Sequence, residues 1–197
     1  MKPITVLFFG SQGAGKGTQV QMLMDFLKSK SDRKIIHLDM GKEFRALRDS
    51  GSYAGKRTGE IIDVGGRMPD FMAIYVQTKK IAESFTGEEH IVGDGLARGP
   101  EQTAAYDDAM QFFGRDNDFQ IINLVINDDT AVKRLLARGR NDDTEEGIRN
   151  RLNWYKSDVV PQLEMFKERG RTIHTIDGQP DEKIIHQNIL KALELDV

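Results

Sequence analysis

Residues 10–18 combine glycines with one lysine in a spacing suited to binding phosphate. The segment reads Gly-Ser-Gln-Gly-Ala-Gly-Lys-Gly-Thr and lies between an apolar run and an amphipathic stretch. Phosphate oxygens need several backbone N–H donors converging on a small sphere, and glycines allow the necessary curvature. The N-terminus of a following helix and the Lys16 ammonium would add attraction for an anion. We therefore predict a phosphate-binding loop, with a glycine-rich turn that binds no ligand as the alternative.

A second group of candidate residues lies at the end of a later apolar run, in residues 90–102. An aspartate at the end of a buried strand near a phosphate loop can hold water around Mg²⁺, and Asp94 has that position. Arg98 suits a pair of phosphate oxygens. Gln102 has both a donor and an acceptor with which to read a base edge. An ordinary Asp-Gly turn is the alternative interpretation of Asp94 and Gly95.

Short apolar or β-branched runs alternate along the chain with longer amphipathic stretches. Strands are predicted at Ile4–Phe9, Lys34–Leu38, His90–Gly93, Gln120–Ile126 and Thr172–Ile176. This alternation predicts a five-stranded parallel sheet with helices on both faces, in which ligands bind beyond the carboxyl ends of the strands. One long helix is predicted from Ile148 to Phe166, with Trp154 as a packing residue and a kink at Pro161.

The composition excludes several classes of protein. Lys and Arg total 28 against 31 Asp and Glu, and this near-balance argues against binding nucleic acid or a membrane through basic residues. The chain has no cysteine, which excludes disulfides, thiol catalysis and cysteine-ligated zinc. No apolar run approaches the ~20 residues of a membrane span, and the N-terminal run is too short for a signal peptide. We expect a cytoplasmic protein of one domain.

Taken together, these segments resemble the adenylate kinase family of nucleoside monophosphate kinases. The phosphate loop is similar to the family pattern G-x-P-G-x-G-K-G-T, including the glycine between Lys16 and Thr18. Residues 94–102 are similar to the family pattern D-G-F-P-R-x-x-x-Q. Further similarities follow in the family's order along the chain, at residues 37–45, 63–70, 134–138, 140–152 and 177–180.

The resemblance implies a P-loop α/β fold and a reversible reaction. The terminal phosphoryl group of MgATP would pass to AMP, giving two ADP, in adenine nucleotide homeostasis and biosynthesis. The partners would be ATP, AMP and ADP, with Mg²⁺ as cofactor, and neither nucleic acid nor a membrane. Such a transfer needs positioning and charge neutralisation more than a protein base.

The resemblance also implies roles for individual residues. Those expected to bind ATP are Gly13, Ala14, Gly15, Lys16, Gly17, Thr18, Arg134, Gly178 and Gln179. Those expected to bind AMP are Met40, Arg45, Gly66, Arg67, Met68, Gly95, Leu96, Ala97, Arg98 and Gln102. The expected catalytic residues are Lys16, Asp94, Arg98, Arg138, Arg140 and Arg151. Asp94 would hold the metal through water. For Arg140 and Arg151, a solvated charge at a helix end is the alternative.

The lid is the first departure from the family pattern. Typical members insert a segment of variable length where this chain has only Gly139, between Arg138 and Arg140. We expect one domain over residues 1–197, with a helical insert for the monophosphate at about 41–71 and a lid reduced to a turn at about 138–142. Lid closure normally excludes water from reacting phosphates. The short lid therefore predicts either ATP hydrolysis or cover from another surface. A monomer is the default, and a homo-oligomer would supply that cover.

The second departure lies around the monophosphate site. This chain has other residues than the family pattern at five positions: Met40, Lys42, Leu96, Ala97 and Gly99. A kinase of the UMP/CMP type is therefore an alternative, although Gln102 favours adenine because pyrimidine-preferring relatives tend to carry Asn there.

The other alternative is a regulatory nucleotide-binding module without catalysis. Retention of Lys16, Asp94, Arg98 and the later arginines argues against it, because binding alone would not require the whole set. A GTPase is disfavoured since the chain has no Asn-Lys-x-Asp segment.

Overall fold

Five parallel strands form one sheet. The computed structural model describes residues 1–139 and 144–195. The strands are β1 (Thr5–Gly10), β2 (Ile35–Asp39), β3 (His90–Asp94), β4 (Phe119–Val125) and β5 (Thr172–Asp177). Their order across the sheet is β2-β3-β1-β4-β5. Each predicted strand is confirmed with bounds that differ by a residue at most, because nearly continuous apolar runs mark strands buried on both faces.

Helices cover both faces of the sheet, as predicted. They are α1 (Lys16–Lys30), α2 (Met40–Arg48), α3 (Tyr53–Ile62), α4 (Asp70–Ser84), α5 (Pro100–Phe112), α6 (Asp128–Arg138), α7 (Glu145–Trp154), α8 (Val160–Glu168) and α9 (Glu182–Ala192). Alternate residues of β1 face opposite cores. Leu7 and Phe9 pack in the core with α4, α5 and α8, whereas Val6 and Phe8 pack in the core with α1 and α9. None of the helices in the described part of the chain has the length and hydropathy of a membrane span.

Two helices, α2 and α3, lie within the segment predicted as the monophosphate-binding insert. Their close approach depends on Gly55, where a Cβ atom would lie 2.4 Å from the carbonyl oxygen of Leu47. The division into a core and an insert stays a prediction. So does the turn-like lid, because residues 140–143 lie outside the part of the chain that the structure describes.

The single long helix predicted at 148–166 is wrong in one respect, since a π-helical turn interrupts it at Tyr155–Val159. The N–H of Val160 donates to the carbonyl of Tyr155, five residues earlier, instead of the α-helical four. Pro161 explains the change, because a proline has no N–H and its ring would clash with the carbonyl four residues before it. The wider turn separates α7 from α8 and replaces the expected simple kink.

His90, at the start of β3, makes stability depend on pH. It is completely buried, and its Nδ1 accepts a hydrogen bond of 3.2 Å from the backbone N–H of Ile4. Burial, with the nearby charges of Arg115 and Arg33, lowers the pKa of His90 to about 4. Because the unfolded chain binds this proton near pH 6.5, stability is intact above that pH and is lost as the pH falls toward 4.

We expect the free energy of unfolding to fall by about 2 to 3 kcal/mol from this group alone between pH 7.5 and 4.5. Urea unfolding at both pH values measures it. The variant His90→Asn keeps an acceptor for Ile4 and removes the titration, so its loss should be smaller by that amount. Burial also lowers the pKa values of His37, His174 and His186, so some dependence on pH remains in the variant. Equal losses in the two proteins would contradict the prediction.

Candidate active site

The phosphate loop joins the end of β1 to the start of α1, and two glycines are needed to shape it. A Cβ atom at Gly10 would lie 2.7 Å from the carbonyl oxygen of Leu124, and one at Gly13 would lie 3.1 Å from that of Ala131. Both glycines have positive φ, 144° and 85°. The loop therefore packs against neighbouring backbone in a conformation that side chains rarely adopt. The predicted loop is present with its helix N-terminus behind it.

Lys16 is the first residue of α1, and its ammonium lies back over the loop. It donates to the carbonyl oxygens of Gly10 and Ser11 at 2.7 and 3.1 Å. Burial lowers the pKa of Lys16; nearby Asp94 opposes the shift, and the positive charges of Arg98 and Arg138 add to it. The nearby positive charges disfavour the protonated form of Lys16 in the free protein. A bound polyanion would neutralise them and favour the protonated lysine again, so this group of cations is suited to binding a polyanion.

A cavity of about 520 Å³ opens beside the loop. It is lined by eight of the predicted monophosphate-binding residues: Met40, Arg45, Gly66, Arg67, Met68, Gly95, Arg98 and Gln102. Leu96 and Ala97 do not line it; both are buried, and Leu96 lines a second, smaller cavity. Residues that the sequence interpretation did not assign to this cavity also line it, among them Gln12, Phe44, Arg48 and Trp154. The cavity is of a size that holds a small ligand, and its several arginines indicate an anionic one.

A narrower cavity links this pocket to the phosphate loop. Gly10 and Lys16 line it on the loop side. Residues that line both cavities are Gln12, Gly95, Arg98, Arg151 and Trp154. An anion on the loop and an anion in the pocket would therefore meet beside Arg98 and Arg151. This arrangement would bring two phosphates together among cations, which is what phosphoryl transfer between them requires.

Comparison with known proteins identifies the family. The family model for adenylate kinase matches residues 8–171. The chain belongs to the adenylate kinase family. It is 34% identical over 188 residues to adenylate kinase 1 of Nostoc sp., an alignment that covers 95% of this chain and 96% of the relative. It is 31% identical over 192 residues to the adenylate kinase of Corynebacterium urealyticum, with 96% and 98% covered. The predicted family is thereby confirmed, and the chain is an enzyme of the adenylate kinase family.

Arg134 joins the parts of the site that the family resemblance assigned to ATP. It donates to the carbonyl oxygens of Gly178 at 2.9 Å and Gln179 at 3.2 Å, and more weakly to that of Gly13 at 3.4 Å. The loop after β5 is thus fixed against the phosphate loop. Gln179 also accepts a hydrogen bond of 2.6 Å from Asn127, the N-cap of α6. The structure brings these predicted residues together; their contact with a nucleotide stays a prediction.

Asp94 is the last residue of β3 and a candidate for holding a metal through water. Its Oδ1 is buried and accepts no hydrogen bond from any residue that the structure describes. A buried carboxylate oxygen near a phosphate loop fits a water ligand of Mg²⁺. Within residues 1–139 and 144–195, no group of three or more His, Cys, Asp or Glu forms a metal site. The expectation that Asp94 holds a metal through water stays a prediction.

Gln102 is buried, and both ends of its amide have protein partners. Its Oε1 accepts a hydrogen bond of 3.1 Å from the backbone N–H of Arg98, and its Nε2 donates to Asp70 at 2.7 Å. Asp70 also accepts from Arg67 at 2.9 Å. The amide keeps a second N–H and a second oxygen lone pair with which it could read a base. The expected role is therefore compatible with its place in the cavity and stays a prediction.

Two replacements of family residues have structural reasons. A Cβ atom at Gly99 would lie 2.5 Å from Nη2 of Arg67, so the arginine occupies the space that a larger residue would need. Ala97 has a φ of 51°, in the left-handed region. The proline of the family pattern cannot adopt that angle, because its ring fixes φ near −65°. The path of the segment after β3 therefore excludes proline at residue 97.

The later arginines are only partly described. Arg138 ends α6 within electrostatic reach of Lys16, and Arg151, on α7, lines both cavities. Arg140 lies outside the described residues. Arg48, which the sequence interpretation did not select, lies three residues after Arg45 on α2 and lines the larger cavity. That spacing, which places two side chains on one helix face, was the signal for it.

Proposed function

We propose that the chain transfers the terminal phosphoryl group of MgATP reversibly to AMP, giving two ADP. The observation that carries the proposal is the junction between the phosphate loop and the arginine-lined cavity. Lys16 lies on the loop side of this junction, and Arg98 and Arg151 line both the larger cavity and the narrower one that leads to the loop. An oxygen of the AMP phosphate would attack the terminal phosphorus of ATP, and the bond from that phosphorus to the bridging oxygen would break. The electron pair of that bond leaves with ADP.

The residues of the chain supply position and charge for this step. Lys16 and the backbone N–H groups of residues 13–18 would bind the ATP phosphates, while Arg45 and Arg98 would bind the phosphate of AMP. Arg138 and Arg151, together with Arg140, would offset the negative charge on the transferred group. Bound Mg²⁺ would neutralise further phosphate charge, and the unpartnered oxygen of Asp94 would orient a water molecule bound to it.

Product analysis with a panel of acceptors tests the proposal. The purified chain is incubated with MgATP and separately with AMP, CMP, UMP, GMP or no acceptor, and the nucleotides are resolved by chromatography. We expect ADP to form with AMP as the preferred acceptor. A Lys16→Met protein, purified in the same way, controls for kinase carried over from the expression host.

Other results of this product analysis would support the alternative functions. Transfer only to UMP or CMP would show a kinase of the UMP/CMP type and contradict the role of Gln102. Binding of nucleotide without transfer to any acceptor would leave a regulatory module. Release of phosphate without an acceptor would measure hydrolysis at a site with a short lid. A strictly monomeric protein that releases none would contradict both proposed consequences of that lid.

A further inference from the structure

The single tryptophan of the chain lies where the two cavities of the site meet. Trp154 is the last residue of α7, immediately before the π turn. It is half-buried and packs against the larger core, which agrees with the packing role expected from sequence. Its contribution to the lining of both cavities is additional to that role. None of the motifs that carry the family resemblance includes it.

The guanidinium of Arg98 lies over the ring of Trp154. The central guanidinium carbon lies 5.9 Å from the ring centroid, which is within the range of a cation–π interaction. A second contact fixes the same group, because Nε of Arg98 donates to the carbonyl of Gly95 at 2.9 Å. A Cβ atom at residue 95 would lie 2.8 Å from Nη2 of Arg98, so glycine allows the guanidinium to lie against the backbone.

These contacts leave the phosphate-binding edge of Arg98 available. Within the part of the chain that the structure describes, neither Nη1 nor Nη2 donates a hydrogen bond to protein. The side chain is exposed through the open cavity. A guanidinium held at Nε and on one face, with two Nη groups free, is prepared to bind a pair of phosphate oxygens with little loss of side-chain entropy.

The π turn holds Trp154 in place. Tyr155 hydrogen-bonds through its hydroxyl to Asn123 of β4 at 3.4 Å, and Asp158 accepts from Arg67 at 3.3 Å. The turn is therefore anchored to the sheet on one side and to the rim of the acceptor cavity on the other. Trp154, at its start, is held between these two anchors.

From this geometry we infer that Trp154 is a positioning residue for Arg98 and so for the phosphate of the acceptor. The inference rests on the proposed function. Trp154 acts through the guanidinium and has no part in the chemical step. Its removal weakens binding of AMP, and binding of ATP is affected much less.

The variants Trp154→Leu and Trp154→Phe test this role, since leucine has no aromatic face and phenylalanine retains one. We expect Trp154→Leu to raise the KM for AMP about 3- to 30-fold, the range of a cation–π contact, and to change the KM for ATP less than about twofold. Trp154→Phe should recover most of the loss. Phe85→Leu is the matched control, because the guanidinium carbon of Arg115 lies 5.6 Å from the ring centroid of Phe85 and Phe85 lines neither cavity.

A double-mutant cycle with Arg98→Met separates positioning from packing. Calorimetry gives the Kd of AMP without ATP, so no turnover is needed. We expect Trp154→Leu to weaken binding in the wild-type background and to have less than about a twofold effect when Arg98 is already absent. Equal effects in both backgrounds, or an unchanged KM for AMP in Trp154→Leu, would overturn the inference.

The two proposals fail in different ways. If the wild-type chain transfers phosphate to no monophosphate and binds no AMP, the proposed function and the inference fail together. If it binds AMP without transfer, the function fails and the cycle on Kd still decides the role of Trp154. If it transfers phosphate to AMP and the cycle shows no coupling, only the inference fails.

Discussion

Replacing Lys16 with methionine is expected to lower kcat for phosphoryl transfer by about 10³-fold or more. Methionine fills a similar volume but cannot donate to the loop carbonyls at Gly10 and Ser11, nor offset charge on the ATP phosphates. The loss should appear in kcat because the missing charge matters most when negative charge accumulates on the transferred group. Steady-state assay of ADP formation from MgATP and AMP measures it.

The fold should survive this change. The shape of the loop depends on glycines at 10 and 13, and the lysine charge is disfavoured by burial in the free protein. We therefore expect thermal unfolding near the wild-type temperature. Lys28→Met is the matched control, since it makes the same substitution on the exposed face of the same helix. A Lys16→Met protein with more than a tenth of wild-type kcat would contradict the prediction.

The largest effect on stability is expected at Asp107 of α5. Its side chain is wholly buried and accepts hydrogen bonds from Arg171 at 2.5 Å and Arg169 at 3.1 Å. Burial alone would raise the pKa of Asp107, but the hydrogen bonds from Arg171 and Arg169 outweigh it, so the pKa is lowered. The carboxylate thus contributes stability at neutral pH, which is lost as the pH falls through this lowered pKa.

Asp107→Ala should lower the free energy of unfolding by about 3 to 5 kcal/mol, because it leaves the nearly buried Arg171 without its carboxylate. For a chain of this size that corresponds to roughly 6 to 20 °C in melting temperature. Urea and thermal unfolding at pH 7 measure the loss. Asp107 lines neither cavity, so kcat at a temperature where the variant is folded should stay within about twofold of wild type.

The neighbouring residue offers the control. Asp108 is exposed and faces Arg169 at 3.7 Å, so Asp108→Ala removes a solvated ion pair and should cost about 0.5 kcal/mol or less. If the two variants were equally stable, the buried position of Asp107 would not be the source of its contribution.

Features set by local sequence could be predicted. The five strands, the phosphate loop and the helices beside them follow from apolar runs, glycines and a lysine that lie close together in the chain. Most of the predicted monophosphate-binding residues do line one cavity, because they follow the carboxyl ends of neighbouring parallel strands or lie on the helices beside them.

Features that depend on distant pairs could not be predicted. Arg67 and Asp158 are far apart in sequence, and nothing near either residue indicates that they meet. The pairing of Asp107 with Arg171 could not be predicted either, because these residues are also far apart in sequence. In addition, a charged residue in an amphipathic helix is normally exposed, so the burial of Asp107 was not expected. The π turn was also missed, because Pro161 indicates a disturbance of the helix without specifying its form.

That π turn fixes the length of the chain between the two helices. A π turn accommodates one residue more than an α-helical turn, and each residue of an α-helix advances the direction of its side chain by about 100°. Because Pro161 requires this wider turn, loss of any one residue from 155–159 would draw Trp154 into the turn and change the direction of each α7 side chain by about 100°. Arg151 and Trp154 would then face away from the phosphate loop while the core packing of α8 stayed unchanged. A single-residue deletion would thus remove Arg151 and Trp154 from one wall of the site, whereas a substitution leaves the length of the turn unchanged.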